Sequence, residues 1–232
     1  HCVQNNRFRL VRGDIRDVDV ISPLVKAADV VFHNAASKMV VALDKPRIDL
    51  ESNIIGTFNI MEAARGSKTR IIHASTGSVL GSSDKPMPED QARRPSTLYG
   101  ISKTAAESYV QFYAKELGVQ ASVLRYFHVY GPRQDYSHEA GVISIFLERA
   151  LNHKSPIIYS GGTQIRCFTY VQDVVLANML LLTKAESIGE TYNVSSKVRI
   201  SINELCDFII KKYGRPGLKA KKGKYRIGEN YH

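Results

Sequence analysis

"TRIIHASTGSVLGSSD", residues 69–84, opens on a β-rich run centred on Ile71 and Ile72 and ends in small polar residues with no helical period. A short run of this kind, without regular polar alternation, suits a strand covered on both faces, the strand of a parallel sheet. Its neighbours follow the same rule. Upstream, "DVVFHNAA" (29–36) reads as a second such strand. Between the two lies a long helix from Pro46 to about Arg65, with proline near its start and Gly66 at its end. Downstream, 98–117 reads as a helix stopped by Gly118, followed by the strand "QASVLRYF" (120–127). At the front, "RFRLVRGD" (7–14) is expected as a strand and "VDVISPLVKA" (18–27) as a helix. Toward the end come a helix at about 140–152, the strand "SPIIY" (155–159), a helix at 171–184 and the strand "TYNVS" (191–195). The last helix opens at the capping box Ser201-x-x-Glu204 and stops at Gly214.

Alternating strands and helices with continuous apolar strands predict an α/β fold: a doubly wound parallel sheet. Ligands of such sheets sit beyond the carboxyl ends of the strands. Those ends, in "NAASK", "STGS" and "YFHVYG", are rich in small and polar residues. A dinucleotide-binding sheet normally begins with a G-x-G-x-x-G turn, and the 232 residues contain none. Either no dinucleotide binds, or the sequence lacks its first strand-helix-strand unit.

Bulk properties narrow the class. The three cysteines, Cys2, Cys167 and Cys206, show no CxxC spacing, which argues against a disulfide framework or a metal site and suits a reducing, cytoplasmic compartment. The apolar stretches are too short to cross a bilayer. The net charge of +10 is concentrated in "KKYGRPGLKAKKGKYR" (211–226), with eight basic residues and no acid, leaving about +2 for the rest. A solvated tail is the default reading of that stretch, and attraction of nucleic-acid phosphates is the alternative.

Within the helix at 98–117, Tyr99 and Lys103 stand four residues apart and therefore share a face. The pair is either catalytic or an ordinary polar face. The segments around it decide. "GDIRD", "VFHNAASK", "STGSVLG", "YGISK" and "LRYFHVYGPRQ", followed by "GGTQIRCFTYVQDVV", "YNVSS" and "YRIGE", resemble in order and spacing the extended short-chain dehydrogenase/reductase family. Within it the chain is similar to NAD-dependent nucleotide-sugar epimerases and dehydratases, from about residue 7 to 229. The family's glycine-rich turn precedes the segment matched by Asp14, so the resemblance implies a fragment without that unit. It also implies a truncated Rossmann-like NAD-binding domain at 1–130, and a mainly substrate-binding part at 131–232 with some segments returning to the sheet.

The resemblance assigns the general base to Tyr99, with Lys103 beside it and Thr76 relaying a hydrogen bond from the sugar hydroxyl. A turn-closing role is the plain alternative for Thr76. A cation about 4 Å from the phenol would favour the phenolate by about 4 kcal/mol before desolvation, at an effective dielectric near 20. NAD contacts carry over to Asp14, Ile15, Asn34, Ala35, Ala36, Lys38, Asn53, Ser75 and Tyr126, besides Tyr99 and Lys103. Asn53 could instead be an exposed helical amide. Substrate contacts carry over to Thr76, Ser78, His128, Val142, Tyr159, Arg166 and Arg226; Tyr159 could equally be core. The two arginines suit a diphosphate as forked donors. His128 replaces the usual asparagine, Leu80 the tyrosine of "VYG", and Cys167 the aspartate after Arg166.

After the position of Thr76, dehydratases of the family carry Asp-Glu, and the decarboxylating relatives carry a glutamate at the second position. Here stand Gly77 and Ser78, neither an acid nor a base. The expected reaction is therefore 4-epimerisation of a nucleotide sugar, with a UDP-hexose as the expected substrate. The alternatives are a related oxidoreductase that releases or reduces a 4-keto sugar, and a non-catalytic or RNA-binding scaffold. A homodimer built on helices 46–65 and 98–117 is also implied, with no membrane partner and nucleic acid disfavoured.

Overall fold

A computed structural model describes residues 7–137 and 140–225. Its centre is a four-stranded, all-parallel sheet in the order β1 (Val30–His33), β2 (Arg70–Thr76), β3 (Ala121–Tyr126), β8 (Thr191–Val194). Side chains alternate between its faces, and the register Val31↔Ile71 and Ile71↔Ala121 fixes which residues share one. Val31, His33, Ile71, His73, Ser75, Val123 and Arg125 share the first face. It is covered by α1 (Val18–Lys26), α4 (Gly56–Ala64) and α5 (Leu98–Glu116), through Val25, Ile60, Met61 and Val110. The opposite face places Ile72 and Leu124 against Val174 and Leu181 of α7 (Val171–Thr183). α6 (Val142–Leu151) and α8 (Ile202–Tyr213) pack their own core of Phe146, Ala150, Leu205, Cys206 and Ile209 beside the sheet. Three two-stranded pairings complete the description: β4 (Val129–Tyr130) with β7 (Thr169–Tyr170), β5 (Ile157–Ile158) with β10 (Lys221–Lys222), and β6 (Ile165–Cys167) with β9 (Arg199–Ser201).

Local chemistry accounts for the ends. Asp17 caps α1 by accepting from the Asp19 and Val20 amides, Thr97 caps α5 by accepting from the Gly100 amide at 2.9 Å, and Ser201 with Glu204 forms the expected capping box on α8. Gly66 and Gly118, in the left-handed region at φ 72° and 70°, end the two long helices. The helix expected over 46–65 is present but composite: α2 (Met39–Asp44) precedes α3 (Pro46–Leu50), which runs through a π-helical turn, Glu51–Ile55, into α4. The wider turn brings Asp49 and Asn53 to the inside.

Two expectations fail. Residues 7–14 form no strand; they are almost wholly exposed, and no described strand offers their backbone a partner. The basic stretch is not simply a tail, because Lys221 and Lys222 are paired to β5 and the Lys221 amide donates to Pro156 O at 2.8 Å.

One ionic cluster fastens α5 to the sheet. Glu107, with no exposed surface, accepts from Arg125 of β3 at 2.6 and 3.1 Å and from Ser75 of β2 at 2.7 Å. Arg125 donates onward to Glu89 O at 2.9 Å, and the Glu89 carboxylate accepts from the Asn193 amide of β8 at 3.0 Å. Glu107→Ala strands a buried guanidinium and is expected to cost about 3–5 kcal/mol, read as a lower urea midpoint with an unchanged m-value.

Candidate active site

The carboxyl ends of β2 and β3, the start of α5 and the α6–β9 region enclose a cleft of about 1170 Å³. Thr76, Ser78, Tyr99, Tyr126, His128, Val142, Tyr159 and Arg166 all line it. Eight of the expected site residues therefore meet around one space, although the chain separates the first from the last by 90 residues. Tyr159 lines the cleft and is not core.

Thr76 ends β2 and does two things. Its Oγ1 accepts from the Ser78 amide at 3.2 Å, closing the turn Gly77–Val79, and the hydroxyl donates to Ser78 Oγ at 3.3 Å. The turn-closing reading of Thr76 holds, and Thr76 and Tyr99 line the same cleft. Ser75, one residue earlier, points to the opposite face, where Glu107 holds its hydroxyl. It is buried and does not reach the cleft, which corrects its placement among the cofactor contacts.

Lys103 lies one helical turn after Tyr99 and is buried. Its Nζ donates to Ala74 O at 2.7 Å and lies 3.4 Å from His73 Nε2. Burial pushes Tyr99 up to about 12, Thr76 holds it lower than burial alone would, and the Asp49 carboxylate raises it. Lys103 is pushed down to about 8 by burial, with Glu107 and Asp49 opposing the fall. Desolvation outweighs the neighbouring charge for both groups.

Asn53 is neither an exposed amide nor open to a ligand. It is buried and donates to Asp49 at 2.8 Å and to Ser102 Oγ at 2.9 Å, while its Oδ1 accepts from the Ser37 amide at 2.9 Å. Ser37 also donates to Asp49. These bonds tie the segment after β1 to the π turn and to α5. Asp49 was missed in the sequence; its spacing of four from Asn53 on a helix was the available signal.

Asn34, Ala35 and Ala36, at the carboxyl end of β1, are exposed and small, so no bulky side chain covers the strand end. Lys38 pairs with Asp135 at 3.8 Å across the mouth of the cleft. Farther away, the Asp14 carboxylate is held by Arg16 at 2.7 Å, and Ile15 packs on the core, its carbonyl accepting from Asn59 at 3.1 Å. Tyr126 exchanges hydrogen bonds with Asn178.

On the other wall, His128 adopts φ 40° and packs edge-on against Phe168 at 5.8 Å. Its surroundings in the cleft and the Arg166 guanidinium push the imidazole down to about 4, so it is neutral near pH 7 rather than pH-dependent there. Arg166 Nη1 donates to Ile165 O at 2.8 Å, and Cys167 is half-buried in the β6–β9 pair opposite Arg199. Leu80 is buried, with the turn after Thr76 closed over it. Arg226 lies outside the described residues. Ser195, Ser196 and Lys197, just beyond β8, also line the cleft; the strand-end rule would have found them.

Comparison with known proteins follows this geometry. The family model described as "NAD dependent epimerase/dehydratase family" matches residues 1–195. A putative UDP-glucose 4-epimerase of Methanocaldococcus jannaschii is 38% identical over 98% of the chain and 75% of its own length. A UDP-N-acetyl-alpha-D-glucosaminuronate decarboxylase of Bacillus cytotoxicus is 37% identical over 84% of the chain, and the match spans 62% of that protein. Among solved structures, a UDP-glucuronic acid 4-epimerase from Bacillus cereus in complex with UDP-glucuronic acid and NAD superposes with a TM-score of 0.87 at 31% identity, covering 98% of the chain and 72% of that structure.

The Asn53 network makes a local prediction. Asn53→Ala should destabilise the chain by about 1–3 kcal/mol, the cost of leaving buried partners unsatisfied, and should speed amide hydrogen exchange at residues 34–38 more than elsewhere.

Proposed function

Because the chain belongs to the NAD dependent epimerase/dehydratase family, we propose that within it the cleft serves 4-epimerisation of a nucleotide sugar, with Tyr99 as the group that exchanges the proton of the C4 hydroxyl. The observation that carries this reading is at the turn after Thr76. A Cβ added to Gly77 would lie 2.4 Å from Cε1 of Phe127. An aspartate there would have to displace the Phe127 ring, and Ser78 supplies no carboxylate. The acid and base that elimination or decarboxylation would add are missing from the positions where the family has them. Oxidation and return at one carbon needs neither.

NAD, when bound, supplies the hydride acceptor and donor, and its oxidised ring brings a positive charge. Asn34, Ala35, Ala36, Lys38, Tyr126 and Lys103 are the residues we assign to holding it. We assign Thr76 the relay between the sugar hydroxyl and the phenol, and it acts to lower Tyr99. Tyr99 takes the proton from the sugar hydroxyl and returns it after the 4-keto sugar has turned. Arg166, Tyr159, Val142, Ser78 and the neutral imidazole of His128 form the wall we assign to the nucleotide diphosphate and sugar. We divide the labour accordingly: residues 1–130 bind mainly cofactor and residues 131–232 mainly substrate, with α7 and β8 returning to the sheet.

We also infer a homodimer through α4 and α5. Ile55, Phe58, Ile101, Tyr109 and Phe112 are exposed along these helices, and the Phe58 and Tyr109 rings meet at 5.9 Å. Phe112→Glu is expected to shift the sedimentation coefficient to that of a monomer; an unchanged dimer would remove this interface.

Conversion of UDP-glucose to UDP-galactose without added NADH is the direct test. Tyr99→Phe should lower kcat by about 10²–10⁴, the contribution of a positioned acid–base group, while NAD and UDP-sugar binding stay near wild type. Accumulation of a 4-keto sugar by the wild type would replace epimerisation with the related oxidoreductase reading. Normal turnover by Tyr99→Phe would remove this tyrosine from the chemistry.

A further inference from the structure

Beneath Lys103, two buried histidines have no part in the reaction described so far. We propose that His73 is a positioning residue for Lys103, a hydrogen-bond acceptor within a buried chain of side chains in contact that runs Lys103, His73, His33, Thr57.

The proton positions follow from the far end. The Thr57 hydroxyl donates to Asn53 O at 2.6 Å, so its oxygen is left to accept. His33 Nε2 lies 2.9 Å from that oxygen and must carry the proton, which leaves His33 Nδ1 bare. At the near end the Lys103 ammonium has donors only. It gives one hydrogen to Ala74 O and turns toward His73 Nε2 at 3.4 Å. His73 Nε2 is then bare, and its proton sits on Nδ1. The two remaining nitrogens, His33 Nδ1 and His73 Nδ1, are buried and have no hydrogen-bond partner. They are complementary, one an acceptor and one a donor, on rings whose centroids are 4.9 Å apart and tilted by 52°. No hydrogen bond joins them; the rings meet in direct contact, which links β2 to β1 and, through Thr57, to α4. Unpaired buried nitrogens are costly, and groups of this kind persist where function retains them.

The charged and titratable groups that face Lys103 are few. They are Tyr99 and Glu107 from its own helix, Asp49 from α3, His73 from β2 and His33 from β1. Both imidazoles are neutral at any working pH: burial, then the Lys103 charge, pushes His33 down to about 3 and His73 well below its usual value. Neutral rings accept from the ammonium without repelling it. Lys103 itself is pushed down to about 8, so its charge disappears as pH rises through that value. Removing the His73 acceptor leaves the ammonium less stabilised and moves that loss to lower pH.

Two measurements test this, and only the second rests on the proposed reaction. In the wild-type protein labelled with ¹⁵N-histidine, long-range ¹H–¹⁵N correlation at pH 7 should show His73 protonated at Nδ1 and His33 at Nε2, the resonances being assigned with His73→Gln and His33→Gln. A proton on His73 Nε2 overturns the proposal. In the kcat–pH profile, His73→Leu should move the alkaline limb down by about one unit, with KM unchanged, and His73→Gln, which keeps an acceptor near the position of Nε2, should restore it. A wild-type limb in His73→Leu overturns the proposal. The expected tautomers without turnover of any nucleotide sugar would support the chain and refute the epimerase reading, so the two failures are told apart.

Discussion

The clamp between Glu107 and the sheet is the constraint on which the site depends. A carboxylate with no solvent contact must be answered by charge and hydrogen bonds, and Arg125 and Ser75 answer it from two adjacent strands. That requirement fixes the rotation of α5 about its axis and its height above β2 and β3. Lys103 lies one turn before Glu107 and Tyr99 one turn before that, so all three share a helix face. Once Glu107 is seated, Lys103 is driven against Ala74 and Tyr99 is carried to the end of β2, where Thr76 waits. The geometry of the reacting end is thus set from a buried ion pair two turns away.

The same burial works against the chemistry it positions. Desolvation disfavours the phenolate of Tyr99 and the ammonium of Lys103, and the structure shows both effects. The countervailing groups are short-range and specific: Thr76 on the phenol, Glu107 and Asp49 on the ammonium. Asp49 opposes one need while meeting the other, since its charge raises Tyr99 as well. A base held protonated until a further positive charge arrives is a reasonable design where idle proton transfer is of no use.

Much of this was legible in the residues. Strands with apolar runs, the capping box at Ser201 and the glycines at 66 and 118 are local signals, and the sheet and the two long helices followed them. The cleft wall was legible through the family resemblance, because spacing along the chain preserves strand ends. What escaped were properties of the third dimension. The segment 7–14 has strand-like composition, yet a strand exists only with a neighbour, and none is described beside it. Asn53 and Ser75 match cofactor positions in one dimension; in three, their polar atoms are taken up by Asp49, Ser102, Ser37 and Glu107. The periodicity of Tyr99 and Lys103 was legible, whereas i,i+4 spacing cannot say that Nζ donates to a strand carbonyl.

The sealed floor of the cleft bears on which reactions the site can support. Elimination or decarboxylation must move additional protons, and each needs a titratable group within reach of the sugar. Around Thr76 the nearest positions are Gly77, closed off by Phe127, and Ser78, engaged with Thr76. Beneath them lie imidazoles too deeply buried to titrate and a lysine bonded to a carbonyl. The carboxylates that do line the cleft, Asp84, Glu89 and Glu148, stand outside the turn that follows Thr76. Epimerisation at a single carbon asks for one proton exchanged, since the proton removed with the hydroxyl on oxidation is the one required on return. The turn after Thr76, with glycine and serine where elimination would need a carboxyl pair, is in keeping with that single exchange.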